Sequence, residues 1–516
     1  MNGISPEPVP AIDLIEMTVE DVQAGFAQGT FTAESLTRAF LARIEALNGA
    51  WNAVIFLNPD AIETARGIDR RRAAGEALGP LAGVPVVVKD TMDMVGLPST
   101  AGWSLLYSGT GGIDLLPGTD SPVVARMKAA GAVILGKTNV PVLSATGTHA
   151  NDSWAGPTYN AAGRQFVPGG SSAGTATAVA ASLAVLGLAE ETGGSIQNPA
   201  AAQALVGIKP TFALVPNAGV VPLSSLRDVV GPIGRCVRDA ALALDVLAGF
   251  TMEDPKTIAG VGRRPAGGYA AGLSSTALAG KRIGLYGPGW RDQGLSPETE
   301  TLYRRAIAEI EARGATTVAD PFAGSGFAAL SRVIEGPGHY DARGLESVPY
   351  DLHRYLERLG PKAALRSFAE FAAATESQNA FGPNGVLRYL PNLPGFAACL
   401  AEPTTPPDLS GFIALREAYL QIVARVFDEH RLDALVFPQM REELPPLHGP
   451  GVIQETTVCE INIAGMPGVT VPAGAHASGS PFCLIFVGPM WSEARLLSMA
   501  YDYENATRYR RAPELG

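Results

Sequence analysis

From Thr18 to Leu47 apolar residues return at helical spacing, with Val19, Val22, Phe26, Leu36, Phe40, Ile44 and Leu47 on one stripe. This predicts an amphipathic helical start packed against a core. The pattern then changes to short continuous apolar runs at VPVVV (84–88), Val133 to Leu135, Leu435 to Phe437, Val469 to Val471 and Leu484 to Val487. Runs of this length, rich in β-branched residues, predict strands buried on both faces. Helical patterns at Ser121 to Ala130 and Arg238 to Phe250 lie among them, so the alternation predicts an α/β sheet covered on both faces.

Residues 251 to about 282 are Gly-rich and loop-like, followed by a helical stretch Pro297 to Arg313, an aromatic-containing segment 320–382 and a Pro-rich run Pro383 to Pro407. These read as an insertion, so the expectation is one domain over 1–516, with a core at about 60–250 and 430–516 and a largely helical 251–430 covering the substrate site. The most helix-like uncharged stretch, Ser171 to Ala189, is mostly Ala, Gly, Thr and Ser. That suits a helix packed in protein better than one in lipid, and no membrane span is expected.

Composition narrows the function classes. With 47% hydrophobic and 17% charged residues the chain reads as a compact enzyme. Its formal net charge of -11 gives nucleic acid no electrostatic footprint. Cys236, Cys399, Cys459 and Cys483 are far apart and form no C-x-x-C pair, so neither a disulfide framework nor a metal site is expected, and no cofactor. The start, MNGISPEPVPAIDLIEM, lacks the basic and apolar runs of a secretory peptide, so a cytoplasmic protein is expected. A homodimer is compatible with all of this.

Two motifs invite other readings. GAVILGKT (131–138) fits the phosphate-loop pattern by letter, but such a loop follows a strand, whereas Ala132 to Leu135 is itself the apolar run. Gly170-Ser171-Ser172-Ala173-Gly174 fits G-x-S-x-G and would make Ser172 the nucleophile of an α/β-hydrolase-type esterase. The preceding YNAAGRQFVPG is polar and Pro-interrupted, a poor strand to feed such an elbow. A second cluster, EETGGSIQNPA (190–200), lies close by, with Ser195 24 residues after Ser171. Its Gly193-Gly194-Ser195 leaves backbone N–H groups uncovered, as an oxyanion hole requires. No histidine lies between His149 and His339 to act as base. Lys89, directly after VPVVV, would lose its proton more easily once desolvated; the other reading is a structural cation paired with Asp90, Asp93 or another carboxylate.

The ordered blocks GPLAGVPVVVKD, GAVILGKTN, VPGGSSAG, ETGGSIQNPAAAQALVGIKPT, DVVGPIGRCVRDAALALDVLAG and INIAGMPGVTVPAG span most of the chain, which resembles the amidase signature hydrolases. The resemblance implies a large mixed central β-sheet covered by helices on both faces. It also implies a Ser-cisSer-Lys triad, with Ser195 as nucleophile, Ser171 as bridging serine after a cis peptide and Lys89 as base. Backbone N–H groups of Thr192, Gly193, Gly194 and Ser195 would form the oxyanion hole, and Ser144 would fall where relatives line the substrate channel. The six histidines would then be dispensable for chemistry.

The chain departs from the usual G-T-D-x-G-G-S-I-R wording: it reads Ala189-Glu190-Glu191-Thr192-Gly193-Gly194-Ser195-Ile196-Gln197, with Glu for Asp and Gln for Arg. Fine specificity does not transfer across that change, including the role of a partner-dependent amidotransferase subunit. Phe322, Phe327, Tyr340, Phe368, Phe371 and Phe381 either line an apolar cleft or pack helices. The expected activity is hydrolysis of a neutral, fairly hydrophobic small-molecule amide, anilide or carbamate (urethane), with ester cleavage as a side activity.

Overall fold

The computed structural model describes residues 12–334 and 344–515. Eleven strands form one mixed sheet: β1 (Val54–Leu57), β2 (Pro85–Lys89), β3 (Val133–Thr138), β4 (Leu186–Glu191), β5 (Val206–Lys209), β6 (Val229–Gly234), β7 (Arg282–Leu285), β8 (Thr316–Val318), β9 (Ala434–Pro438), β10 (Gly468–Ala475) and β11 (Pro481–Val487). Their order is β1-β3-β2-β4-β6-β5-β10-β11-β9-β7-β8. Strand β2 runs parallel to both neighbours, β3 and β4, and its five residues are all buried, as its unbroken apolar run predicts.

The N-terminal stripe divides into two helices, α1 (Val19–Gln28) and α2 (Ala33–Trp51). Thr18 and Thr32 each build a capping box, with Asp21 and Ser35 respectively, and Gly29 closes α1 at φ 68°. Caps of this kind outweigh the continuous periodicity. Helices α3 (Ala61–Ala73) and α4 (Pro122–Ala129) follow, then α5 (Ala173–Ala180), α6 (Gln197–Ala202), α7 (Val237–Leu247) and α8 (Pro297–Ala312). The stretch expected to be helical from Ser171 to Ala189 is helical only in α5. The chain turns at Ser182 (φ 54°) and continues as β4, because a short apolar run buried on both faces has no period to distinguish strand from helix.

Helix α5 owes its small residues to close packing. A Cβ on Gly174 would lie 2.4 Å from the Asn139 backbone nitrogen and 2.5 Å from the Ala53 carbonyl oxygen. Segment 251–430 contributes helices Val348–Arg358, Phe368–Ala374, Phe396–Ala401 and Ser410–His430, and also β7 and β8, which extend the sheet beside β9. Among the described residues no helix is long and apolar enough to cross a membrane.

Phe322, Phe327, Phe368, Phe371 and Phe381 of this segment are packing residues. Phe322 and Phe327 sit with Trp290, Tyr419 and Phe437 in one buried cluster, where Phe327 stacks on Trp290 at 4.2 Å. Phe368 and Phe371 are buried in a second cluster with Trp103 and Phe396, and Phe381 packs against it. Tyr340 lies outside the described residues.

Candidate active site

Lys89 is the last residue of β2 and Glu190 lies near the end of the adjacent parallel strand β4, a carboxyl-end position where open α/β sheets commonly place ligands. Lys89 is fully buried, and its Nζ lies 2.6 Å from Ser171 Oγ, 3.3 Å from the Glu190 carbonyl oxygen and 2.5 Å from Glu190 Oε2. Burial pulls the Lys89 ammonium below its usual range, while the charge of Glu190 opposes that shift most strongly, followed by its hydrogen bond and by Asp228 and Glu191.

Of the carboxylates that sequence reasoning offered to Lys89, Asp90 and Asp93 are engaged elsewhere, and the other carboxylate that pairs with it is Glu190. Asp90 pairs with Lys137 at 3.1 Å and accepts from the Thr100 hydroxyl. Asp93 accepts from Ser99 and Tyr355 and pairs with Arg358. Lys137 is thereby a buried structural cation within β3, and the phosphate-loop letters lie in a strand, as expected.

Ser171 and Ser172 precede α5, and the Gly170–Ser171 peptide bond is cis. The Ser172 backbone N–H donates to the Ser195 carbonyl oxygen at 3.3 Å, which joins the two Gly-Ser clusters. Ser171 is fully buried and Ser195 is 5% exposed. The Ser172 hydroxyl is fully buried and donates to the Glu190 carbonyl oxygen at 3.2 Å. No strand feeds it: Phe166 makes only an isolated bridge with Pro446. The elbow reading has no structural support.

The loop from Thr192 to Ser195 is shaped from behind by Glu191. Its Oε2 accepts the backbone N–H of Ile196 at 2.8 Å and of Gln197 at 3.0 Å, and its Oε1 accepts from Asn462 Nδ2 at 2.7 Å and from the Gln197 side-chain amide. Among the described residues none accepts from the backbone N–H of Gly193, Gly194 or Ser195. Gly194 has φ +93°, and a Cβ there would lie 2.8 Å from Asn198 Nδ2, so the turn that presents these donors requires glycine. Thr192 donates its hydroxyl to Asp228, whose carboxyl burial and the nearby Glu190 charge push up to about 7.

Ser144 closes a turn in which Leu143 and Ser144 have φ of 50° and 56°. Its hydroxyl is buried with no hydrogen-bond partner among the described residues. The same loop reaches the clusters at Gly147, whose carbonyl oxygen accepts from Gly170 N at 2.8 Å. His149 bonds through Nε2 to the Gly451 carbonyl oxygen, a loop contact. Sequence reasoning missed two acids here. Glu190 stands inside the EETGGS block and Asp228 opens the DVVGPIGR block, so the signal was an acid beside a strand buried on both faces.

The family model for Amidase matches residues 35–327. In structure the chain is similar to the native peptide amidase from Stenotrophomonas maltophilia, at 33% identity and TM-score 0.79, covering 98% of this chain and 100% of that one. It is also similar to an amidase family protein from Bacillus anthracis, at 25% identity and TM-score 0.78, covering 97% of this chain and 93% of that one. In sequence it is 32% identical over 511 residues to a Glutamyl-tRNA(Gln) amidotransferase subunit of Moorella thermoacetica, covering 98% of this chain and 100% of that one. With the fold and the ordered motifs in agreement, the chain belongs to the amidase signature family of enzymes acting on C–N bonds.

Proposed function

We propose that the protein hydrolyses neutral, fairly hydrophobic amides, anilides or carbamates through an acyl-enzyme on Ser195, with Ser171 as proton relay and Lys89 as base. The observation that carries this reading is the 2.6 Å contact between Lys89 Nζ and Ser171 Oγ in a fully buried setting. Lys89, when neutral, accepts the Ser171 proton while Ser171 takes that of Ser195, whose oxygen attacks the carbonyl carbon. The carbonyl π pair moves onto oxygen, and the unengaged N–H groups of Gly193, Gly194 and Ser195, with that of Thr192, stabilise it. The chain of proton transfers runs back to protonate the leaving amine, and water then cleaves the acyl-enzyme. Ser144 offers its unpartnered hydroxyl to the substrate, and segment 251–430 covers the site.

Similarity to a peptide amidase supports action on small amides by the isolated chain. The full-length similarity to one component of an amidotransferase supports a second reading, in which the same chemistry operates within a complex. The deciding experiment incubates purified protein with aryl amides, peptide amides, carbamates and esters, and locates the trapped acyl group by mass spectrometry. Turnover with the acyl group on Ser195 is expected. Inertness toward the whole panel, with activity appearing only when a partner protein is added, would favour the second reading.

A further inference from the structure

We propose that Glu190 is a positioning residue of the reaction: its carboxylate holds Lys89 against Ser171 and compensates the ammonium that forms when Lys89 takes the Ser171 proton. This rests on the assignment of Lys89 as base. Glu190 Oε2 lies 2.5 Å from Lys89 Nζ, and the side chains are 1% and 0% exposed. The same oxygen accepts from the Thr91 hydroxyl at 3.2 Å, and the Glu190 backbone carbonyl accepts from Lys89 and from Ser172. One residue therefore touches the base through side chain and backbone alike. The signature wording has Thr at this position, which brings no charge.

The electrostatic logic matches that of a carboxylate behind a catalytic histidine. As the Ser195 oxygen bonds to carbon, the Ser195 proton passes to Ser171 and the Ser171 proton to Lys89, so an N–H bond forms and the amine becomes an ammonium. Glu190 takes no proton. It turns the buried cation into half of a neutral pair, in a setting where an unpaired charge is costly. The charged groups facing Lys89 are Glu190 and its neighbour Glu191 from β4 and Asp228 from the segment before β6, all of one sign. Removing the Glu190 charge therefore makes Lys89 easier to deprotonate and a weaker base. It also removes one cause of the upward push on Asp228, whose carboxylate then forms more readily and offsets part of the fall at Lys89.

The test is the pH profile of kcat/KM for wild type, Glu190→Gln and Glu190→Asp. In the Gln variant the acid limb should move to lower pH by on the order of one unit, while the plateau falls about tenfold or more. The Asp variant, with its carboxylate drawn back by one methylene, should show a smaller shift in the same direction and recover part of the plateau. A merely structural role would lower the plateau and leave the limb in place, and that result overturns the proposal. Should the Gln variant fail to fold, the Asp variant and Glu190→Thr carry the same criterion. Lys89→Met is the control for the underlying assignment. If it keeps turnover, the base itself is wrongly assigned and this proposal falls with it; if it is inactive while the Glu190 variants leave the limb unmoved, only the role of Glu190 is lost.

Discussion

Gln197 and Glu191, the two positions singled out as departures from the usual signature wording, are hydrogen-bonded to each other through the Gln197 amide and Glu191 Oε1. Relative to an Asp–Arg pair, the acid is longer by one methylene and its partner shorter and neutral. The pair here is thus joined by a hydrogen bond without a cation. The remaining acceptor capacity of Glu191 goes to the backbone of Ile196 and Gln197 and to Asn462.

Glu191→Ala should therefore act on both folding and catalysis. It leaves the buried backbone N–H groups of Ile196 and Gln197 and the Gln197 side-chain amide without their acceptor, while Asn462 keeps its bond to the Val458 carbonyl oxygen, at a cost of roughly 3 kcal/mol or more. It also releases the loop carrying Ser195. The expected result is lower stability in urea unfolding and a kcat that falls more than KM rises. A double-mutant cycle with Glu191→Asp and Gln197→Arg should show positive coupling, the pair together being more active than either single change. Additive losses would mean that the two side chains do not act as a unit.

Ser195→Ala should abolish turnover, because it removes the proposed nucleophilic hydroxyl carried by the loop of unengaged N–H groups, whereas the Thr192 hydroxyl of that loop is committed to Asp228. Ser172→Ala removes a single buried hydrogen bond to the Glu190 carbonyl, at a cost of about 1 kcal/mol in stability, and should retain a measurable fraction of kcat. Steady-state rates of the two variants on one substrate decide the point, and the opposite ranking would restore Ser172 as nucleophile.

Most of this geometry is legible in the chain's own pattern, and for stated reasons. The run VPVVV marks a strand buried on both faces, so a lysine at its end must be desolvated, and β2 ends at Lys89 as that reasoning requires. The Gly-Ser clusters point to Ser171, Ser195 and the bare N–H groups. What is not legible depends on register. The parallel pairing of β2 with β4 sets Lys89 beside Glu190, a contact between residues 101 positions apart that no local pattern encodes. Strand β4 itself is hidden because Leu183 to Ala189 is an apolar run without period. The division of α1 from α2 is encoded in Thr18, Gly29 and Thr32, but the longer stripe conceals it.

Ser144→Ala should separate binding from chemistry. The hydroxyl has no partner among the described residues and lies in the loop that leads to Gly147, so its removal should raise KM several-fold while kcat changes little, as for a group that binds ground state and transition state alike. An unchanged KM on every substrate of the panel would leave Ser144 as an ordinary loop residue.

Asp239 supplies a test of buried charge away from the site. It is fully buried, accepts the Val19 N–H at 3.1 Å, and burial pushes its carboxyl from 3.8 up to about 6. The folded state therefore holds the proton more tightly than the unfolded chain. The stabilisation is complete below about pH 4 and is lost as pH rises through about 6, with a total on the order of 3 kcal/mol. Asp239→Asn lacks this loss, so its stability relative to wild type should rise between pH 4 and pH 8 in urea unfolding. A constant difference across that range would show that the Val19 N–H and Arg235 offset the burial.

The last prediction concerns Lys89, which must be neutral to accept a proton, whereas an exposed lysine is charged up to about pH 10. Burial lowers that threshold and Glu190, Asp228 and Glu191 oppose the shift, so kcat/KM should rise with pH through the lowered value. Lys89→Met keeps the apolar stem of a fully buried side chain and should preserve the fold, while removal of the proton acceptor lowers kcat by several orders of magnitude. Lys89→Arg retains a cation within reach of Glu190 but cannot release its proton at any usable pH. It should therefore be as inactive as the Met variant, even where circular dichroism shows it folded. Measuring both variants and wild type from about pH 6 to 10 brackets a lysine lowered from its ordinary value. Near-normal turnover by Lys89→Arg would make this lysine a structural partner of Glu190, and another group would have to take the Ser171 proton.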